Sequence, residues 1–301
     1  MKRILLIVFM FVTAYSFAQT KDTTYWVTKG NLTFNFTQAY FSNWSAGGEN
    51  SFAGLPKLNY SATYTKDRWK WANTLNLALG YTVTGKSNPM KTDDVIEINS
   101  LLGYKLKGNW YATFMLKFNS QFAKGYDYSV DSSTYISKFM APAYLDFGPG
   151  VAYDLPDWLV INFSPLNSRF TFVNDEGLAD GGNFGLDGAV KDTNGVIITH
   201  AKKMKFQFGA KLTVAIKKEI FENVELGTSL ELFSDYLHNP QNVIVNWKTL
   251  LRLKVNPWLN VDFNTELFYD DNVMFYDVNG IPEGPKVQFK QNLMVGLSVN
   301  L

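Results

Sequence analysis

The chain contains no cysteine and two histidines, His200 and His238. Without cysteine there is no disulfide, no thiolate metal site, no thiol nucleophile and no thioether-linked lipid. An acyl-transfer centre needs a hydroxyl beside a base. Ser234 is near His238 in sequence, but strand alternation turns it outward and no nucleophile motif surrounds it. Phosphate-cradling loops, nucleotide fingerprints and Cys/His clusters are also missing. The expectation is a protein that is not an enzyme, with no catalytic residue, no cofactor and no metal. Charge of one sign is lacking as well: 28 basic residues face 27 acidic ones. No global field draws in nucleic acid.

Long apolar runs are confined to the start. Lys2 and Arg3 precede an apolar stretch over 4–14, and Ser16-Phe17-Ala18 follows. The stretch is shorter than the roughly 20 residues of a spanning helix and reads as a cleaved export signal over 1–18. Removing it leaves 26 basic residues against 27 acidic ones. A short N-terminal segment, 19–28, then leads into a β-domain over 29–301, with no room for an N-terminal plug.

What the chain has is aromatic residues, 16 % of the total, at a mean hydropathy of only −0.11. A barrel in a membrane reconciles the two, because every second residue faces lipid. Tight polar turns run directly into tryptophan at Lys66-Asp67-Arg68-Trp69, Lys107-Gly108-Asn109-Trp110, Leu155-Pro156-Asp157-Trp158 and Val255-Asn256-Pro257-Trp258. Trp69, Trp71, Trp110, Trp158 and Trp258 therefore read as interfacial aromatics, wet at one edge and apolar at the other. Period-2 alternation predicts strands near 29–42, 52–66, 69–84, 93–107, 110–126, 136–154, 158–172, 199–218, 222–236, 242–255, 258–271 and 286–301. Short turns follow the even strands and long loops the odd ones. The predicted fold is all-β, a single transmembrane antiparallel up-and-down β-barrel of about twelve strands, both termini periplasmic. Outer-membrane lipid is its expected surround. The last strand, apolar at alternate positions to Leu301, is the expected contact for the barrel-assembly machinery.

Several blocks resemble a family of Bacteroidota outer-membrane β-barrels known as domain-of-unknown-function family 3078. They include Trp44-Ser45-Ala46-Gly47-Gly48-Glu49-Asn50, Lys91-Thr92-Asp93-Asp94, Ser120-Gln121-Phe122-Ala123-Lys124-Gly125-Tyr126 and Ile136-Ser137-Lys138-Phe139-Met140-Ala141-Pro142-Ala143-Tyr144. Later blocks are Leu232-Phe233-Ser234-Asp235-Tyr236, Asn239-Pro240-Gln241, Tyr269-Asp270-Asp271 and Pro285-Lys286-Val287-Gln288-Phe289-Lys290. The resemblance implies location and architecture in a Gram-negative outer membrane. It implies no activity.

Inward positions are strongly charged in the second half. Strand 8 offers Lys203, Lys205, Lys211 and Lys217, strand 9 Glu225 and Glu231, and strand 10 Lys248, Arg252 and Lys254. Strand 11 offers Asp262, Glu266 and Asp270, and strand 12 Lys286 and Lys290. Neighbouring strands alternate in sign, which predicts a self-neutralising lumen wall. Strands 1–7 contribute mostly small polar residues, with Lys57, Lys117, Lys138 and Asp146 as exceptions, and so leave space. The acidic loop over 174–196 is the candidate for closing the mouth; its spacing fits no standard Ca²⁺ loop. Two functions follow: a narrow channel or transporter for a small polar solute, or a non-conducting barrel that docks another envelope protein.

Overall fold

A computed structural model of the chain describes residues 25–43, 45–128, 133–156, 158–276 and 281–301. The expected export signal and two motif residues, Trp44 and Asp157, lie outside the described residues. Twelve antiparallel strands close into one barrel. They are β1 (Trp26–Ala39), β2 (Ser51–Lys66), β3 (Trp69–Thr84), β4 (Met90–Lys107), β5 (Trp110–Ser120) and β6 (Ala143–Leu155). The ring continues with β7 (Leu159–Phe172), β8 (Met204–Phe221), β9 (Val224–Asp235), β10 (Val243–Lys254), β11 (Leu259–Tyr269) and β12 (Gln288–Asn300). Each pairs with its chain neighbours, and β12 closes onto β1 from Asn31↔Asn300 to Phe36↔Val295. The shortest strands have 11 residues and the longest 18, against about 9–11 for a tilted membrane strand.

Local chemistry sets the reversals. Asp67, Gly108 and Asn223 hold φ of 54°, 58° and 62°, the left-handed conformation that tight hairpins need and that Gly, Asn and Asp tolerate best. Before β11, the Asn256 carboxamide oxygen accepts from the backbone N–H of Trp258 (3.0 Å) and Leu259 (2.8 Å). That side-chain turn delivers Trp258 to the rim.

The solvent logic of a soluble protein is reversed. Lys211, Asp146, Asp262, Asn35, Asn167, Thr33 and Ser164 are among the most buried side chains, while Phe289, Leu293, Val299 and Trp247 are half or more exposed on the outer face. A belt of that kind is stable only against lipid. At the short-turn rim, Trp69 packs on Tyr104 and Trp110 on Tyr153, each with centroids 5.0 Å apart, and the Lys218 ammonium sits 5.3 Å from the Trp158 ring. All five predicted interfacial tryptophans are outward and at least 40 % exposed.

The strand boundaries differ from expectation on the long-loop side. β5 stops at Ser120 and β6 begins at Ala143, where alternation predicts continuation to 126 and a start at 136. Side chains pull the backbone off the ladder there. The Asp94 carboxylate accepts from the N–H of Phe122 (2.7 Å) and Ala123 (2.9 Å), and Gln121 Nε2 donates to the carbonyls of Lys138 (2.9 Å) and Ala141 (3.2 Å). A small hairpin, Gly125–Tyr126 with Tyr135–Ser137, forms instead. Lys138 consequently leaves the lumen and pairs with Asp175 in the outer loop at 2.5 Å. Likewise β8 starts at Met204 rather than at 199.

Candidate functional site: a lumen crossed by ion pairs

As the sign alternation predicts, neighbouring strands of the second half pair with one another, at Lys211–Glu231, Lys217–Glu225–Lys254, Lys248–Glu266 and Arg252–Asp262. Eight inward charges are further joined into one chain of alternating sign. Glu266 lies 3.7 Å from Lys248, Lys248 3.3 Å from Glu97, and Glu97 3.5 Å from Lys117. Lys117 pairs with Glu231, Glu231 with Lys211 at 3.1 Å, Lys211 with Asp146 at 3.3 Å, and Asp146 with Arg169 at 2.9 Å. The chain takes one residue from every strand between β4 and β11 and carries no net charge. Two of its links span the lumen. In the ring of twelve, β4 and β10 are six positions apart, so Glu97–Lys248 ties diametrically opposite walls, and Lys117–Glu231 joins β5 to β9. Arg169 also lies 4.4 Å over the Phe233 ring, which points inward and is buried.

The remaining predicted charges fall in three places. Near the short-turn end, Arg252 donates twice to Asp262 at 2.8 Å, and Glu225 lies between Lys217 (3.4 Å) and Lys254 (3.6 Å). Lys70 and Asp154 pair at the same end. On the β12 side, Lys290 reaches Asp93 at 3.0 Å rather than its neighbour Glu266. Lys203 and Lys286 lie outside the barrel strands: they pair with Glu176 at 3.7 Å and Glu283 at 2.6 Å in the loops. Lys205 bonds the Gly185 carbonyl and Asn272 at the mouth, and Asp270, just past β11, accepts from Asn272 and has no ion pair among the described residues. Five lumen charges are absent from the sequence reading: Lys70, Asp93, Glu97, Asp154 and Arg169. Alternation on strand 4 is sufficient to find Glu97. Arg169 is hidden by a register shift in β7, where Asn167↔Gly209 is followed by Ser164↔Lys211. One extra residue flips the parity beyond it.

Space remains on both sides of the chain. One cavity of about 320 Å³ lies between β2–β4 and β9–β12, lined by Lys57, Asn76, Glu97, Lys248 and Asn264. A second, of about 250 Å³, includes Lys117, Tyr144, Arg169, Asn246 and Asp270. They meet at Val95, Lys248 and Glu266.

The loop over 174–196 packs on its own small core at the mouth. Val173, Leu178, Ala179, Leu186 and Ala141 are buried together, beneath a short helix α1 (Glu176–Asp180) capped by Asp175. Lys138 beside Asp175, with the Leu178 N–H and the Tyr135 hydroxyl, holds that carboxyl down to about 2. His200 Nδ1 meets Asp180 at 2.7 Å, which raises the imidazole pKa; the Ala201 N–H and His200 lower that of Asp180. Glu176, Asp180 and His200 bring their ligand atoms within 4.8 Å of one another, the one such metal-capable group among the described residues. His200 makes it a softer set than a calcium loop.

Residues 36–126 match the family model described as "Protein of unknown function (DUF3078)". This is the family that the sequence blocks point to, matched over three of them, at 44–50, 91–94 and 120–126. No curated protein matches the chain. Among solved structures, an outer membrane channel from Pseudomonas putida F1 aligns over 93 % of this chain and 100 % of its own, with 11 % identity and a TM-score of 0.40. The translocator domain of the autotransporter NalP from Neisseria meningitidis aligns over 97 % and 94 %, with 9 % identity and a TM-score of 0.38. The NanC porin aligns over 91 % and 100 %, with 10 % identity and a TM-score of 0.38. Likenesses at this level carry no functional argument.

Proposed function

We propose that the protein is an outer-membrane barrel whose lumen is a narrow, constricted path for a small polar solute. Its short turns and both termini face the periplasm, and its long loops face outward, as in barrels of this build. The observation that carries the reading is the pair of lumen cavities lined by charged and amide groups. A barrel needed only as a scaffold fills its interior at about eight strands, whereas twelve leave room. Among the described residues the constriction is made of side chains, so lysine termini moving between carboxylates are enough to open it.

A second reading, a non-conducting barrel that docks an envelope protein through its loops, draws on the links that cross the lumen. Planar-bilayer recording separates the two. We expect small, discrete steps from the wild-type barrel and larger ones from a Glu97→Gln/Lys248→Met double variant, which removes the diametric tie. Silence from both proteins overturns the channel reading in favour of the docking one.

A further inference from the structure

Within the barrel, the cations of the alternating chain and of the short-turn end each lie within 4.0 Å of a carboxylate. Lys57 does not. It is half-buried on β2, it lines the larger cavity, and it has neither a carboxylate in contact nor a hydrogen-bond partner among the described residues. The Nδ2 of Asn264, across the same cavity on β11, is buried and unpartnered too. The carboxylates lining this space are already engaged: Asp93 by Lys290, Glu97 and Glu266 by Lys248. Two unsatisfied donors, one carrying a full positive charge, therefore face a polar hollow of about 320 Å³, the small end of the range for ligand sites, roughly 300–1,000 Å³. A buried donor left without an acceptor, as Asn264 Nδ2 is, is unfavourable, and the half-buried Lys57 ammonium opens on the same hollow. The rest of the lining, including Asn59, Asn76, Asn292 and Ser229, offers the paired donors and acceptors that hydroxyl groups use.

We infer that this cavity binds a small hydroxylated organic carboxylate, with Lys57 taking the carboxylate and Asn264 donating a second hydrogen bond to it. The inference rests on the reading of the lumen as a path for polar solutes. It specifies the chemical class of the solute.

The test is calorimetric titration of the purified full-length barrel in detergent with D-gluconate, and with sorbitol as its uncharged counterpart. Gluconate should bind at least roughly tenfold tighter than sorbitol. Lys57→Met should remove that preference, Lys57→Arg should keep it, and Asn264→Leu should weaken gluconate alone. Heat-modifiable gel mobility reports whether each variant is folded; if Lys57→Met does not fold, the Asn264→Leu result decides. Absence of gluconate binding, or binding indifferent to these substitutions, overturns the inference. Conductance is read separately. A silent barrel that binds gluconate keeps the site and loses the channel, and a conducting barrel that ignores gluconate does the reverse.

Discussion

Glu231 is the carboxylate on which the lumen chain turns, and replacing it with glutamine is the most informative single perturbation. Its side chain is 15 % exposed and pairs with two lysines, Lys117 at 7 % and Lys211 at 1 % exposure. Breaking a buried pair by removing one partner costs about 3–5 kcal/mol, because the other charge stays buried. Here the orphaned lysines are not abandoned. Lys211 keeps Asp146 at 3.3 Å and Lys117 keeps Glu97 at 3.5 Å. Glu231→Gln should therefore fall at the low end, about 3 kcal/mol. Glu266→Gln removes the same charge from the same chain, but its one partner, Lys248, is 3.7 Å away and both side chains are about 40 % exposed. Water screens such a pair, and its loss should cost less than about 1 kcal/mol.

Urea unfolding of the two variants in micelles, followed by tryptophan fluorescence and by gel mobility of unboiled samples, measures both numbers. Glu231→Gln also leaves an excess positive charge where opposite walls meet. The reversal potential in a salt gradient should accordingly shift toward anions, more than it does for Glu266→Gln. Equal destabilisation by both variants, or none from Glu231→Gln, refutes the claim that this chain is a buried structural tie.

Two further predictions concern the exterior and the mouth. On β12, Leu293 is 64 % exposed on the lipid side and Asn292 lines the larger cavity, so Leu293→Arg should cost roughly 2–4 kcal/mol and Asn292→Arg distinctly less; equal unfolding midpoints would reverse the assignment of faces. The His200 imidazolium, held by Asp180 at 2.7 Å and Glu176 at 3.9 Å, should titrate above the ordinary value of about 6.5, and its contribution to the loop, fully present below that value, should fade as pH rises through the raised midpoint. Proton NMR of a His238→Gln variant reads the midpoint directly, and Asp180→Asn should lower it; a wild-type midpoint at or below about 6.5 removes this contact.

The barrel was legible in the sequence because its determinants are local. A period of two, a left-handed residue or a side-chain-bonded asparagine at a tight turn, and an aromatic residue at the rim are all properties of a few neighbouring positions. On β12, Leu293, Val295, Leu297 and Val299 do face outward as that period requires. The outer boundaries were not legible, because they depend on side chains distant in sequence: Asp94 captures the backbone at Phe122 and Ala123, and no alternation count registers that. Arg169 was lost for a related reason, since a single bulge inverts every face assignment beyond it. Sign alternation along β8–β12 was visible. The neighbour pairs it implies do form, as at Lys211–Glu231 and Arg252–Asp262; the links across the interior were not legible, because a strand pattern specifies neighbours and says nothing of which walls approach one another.

That last difference changes what the charges do. In a neutral wall, each cation is held by the adjacent strand, the centre stays open, and strand identity affects selectivity only weakly. Here Glu97 and Lys248 face each other from opposite sides of the ring, so the same residues set both the bore and its electrostatics. On the channel reading proposed above, any motion that parts them widens the passage and exposes one carboxylate and one ammonium together. A solute with both an acceptor and a donor can replace that pair without leaving a bare charge; a simple ion leaves one of the two unmatched. The constriction should therefore favour hydroxylated or amphoteric solutes over inorganic ions of either sign. A mixed lining of amides, hydroxyls and paired charges, with no ring of one sign, is what such a preference requires.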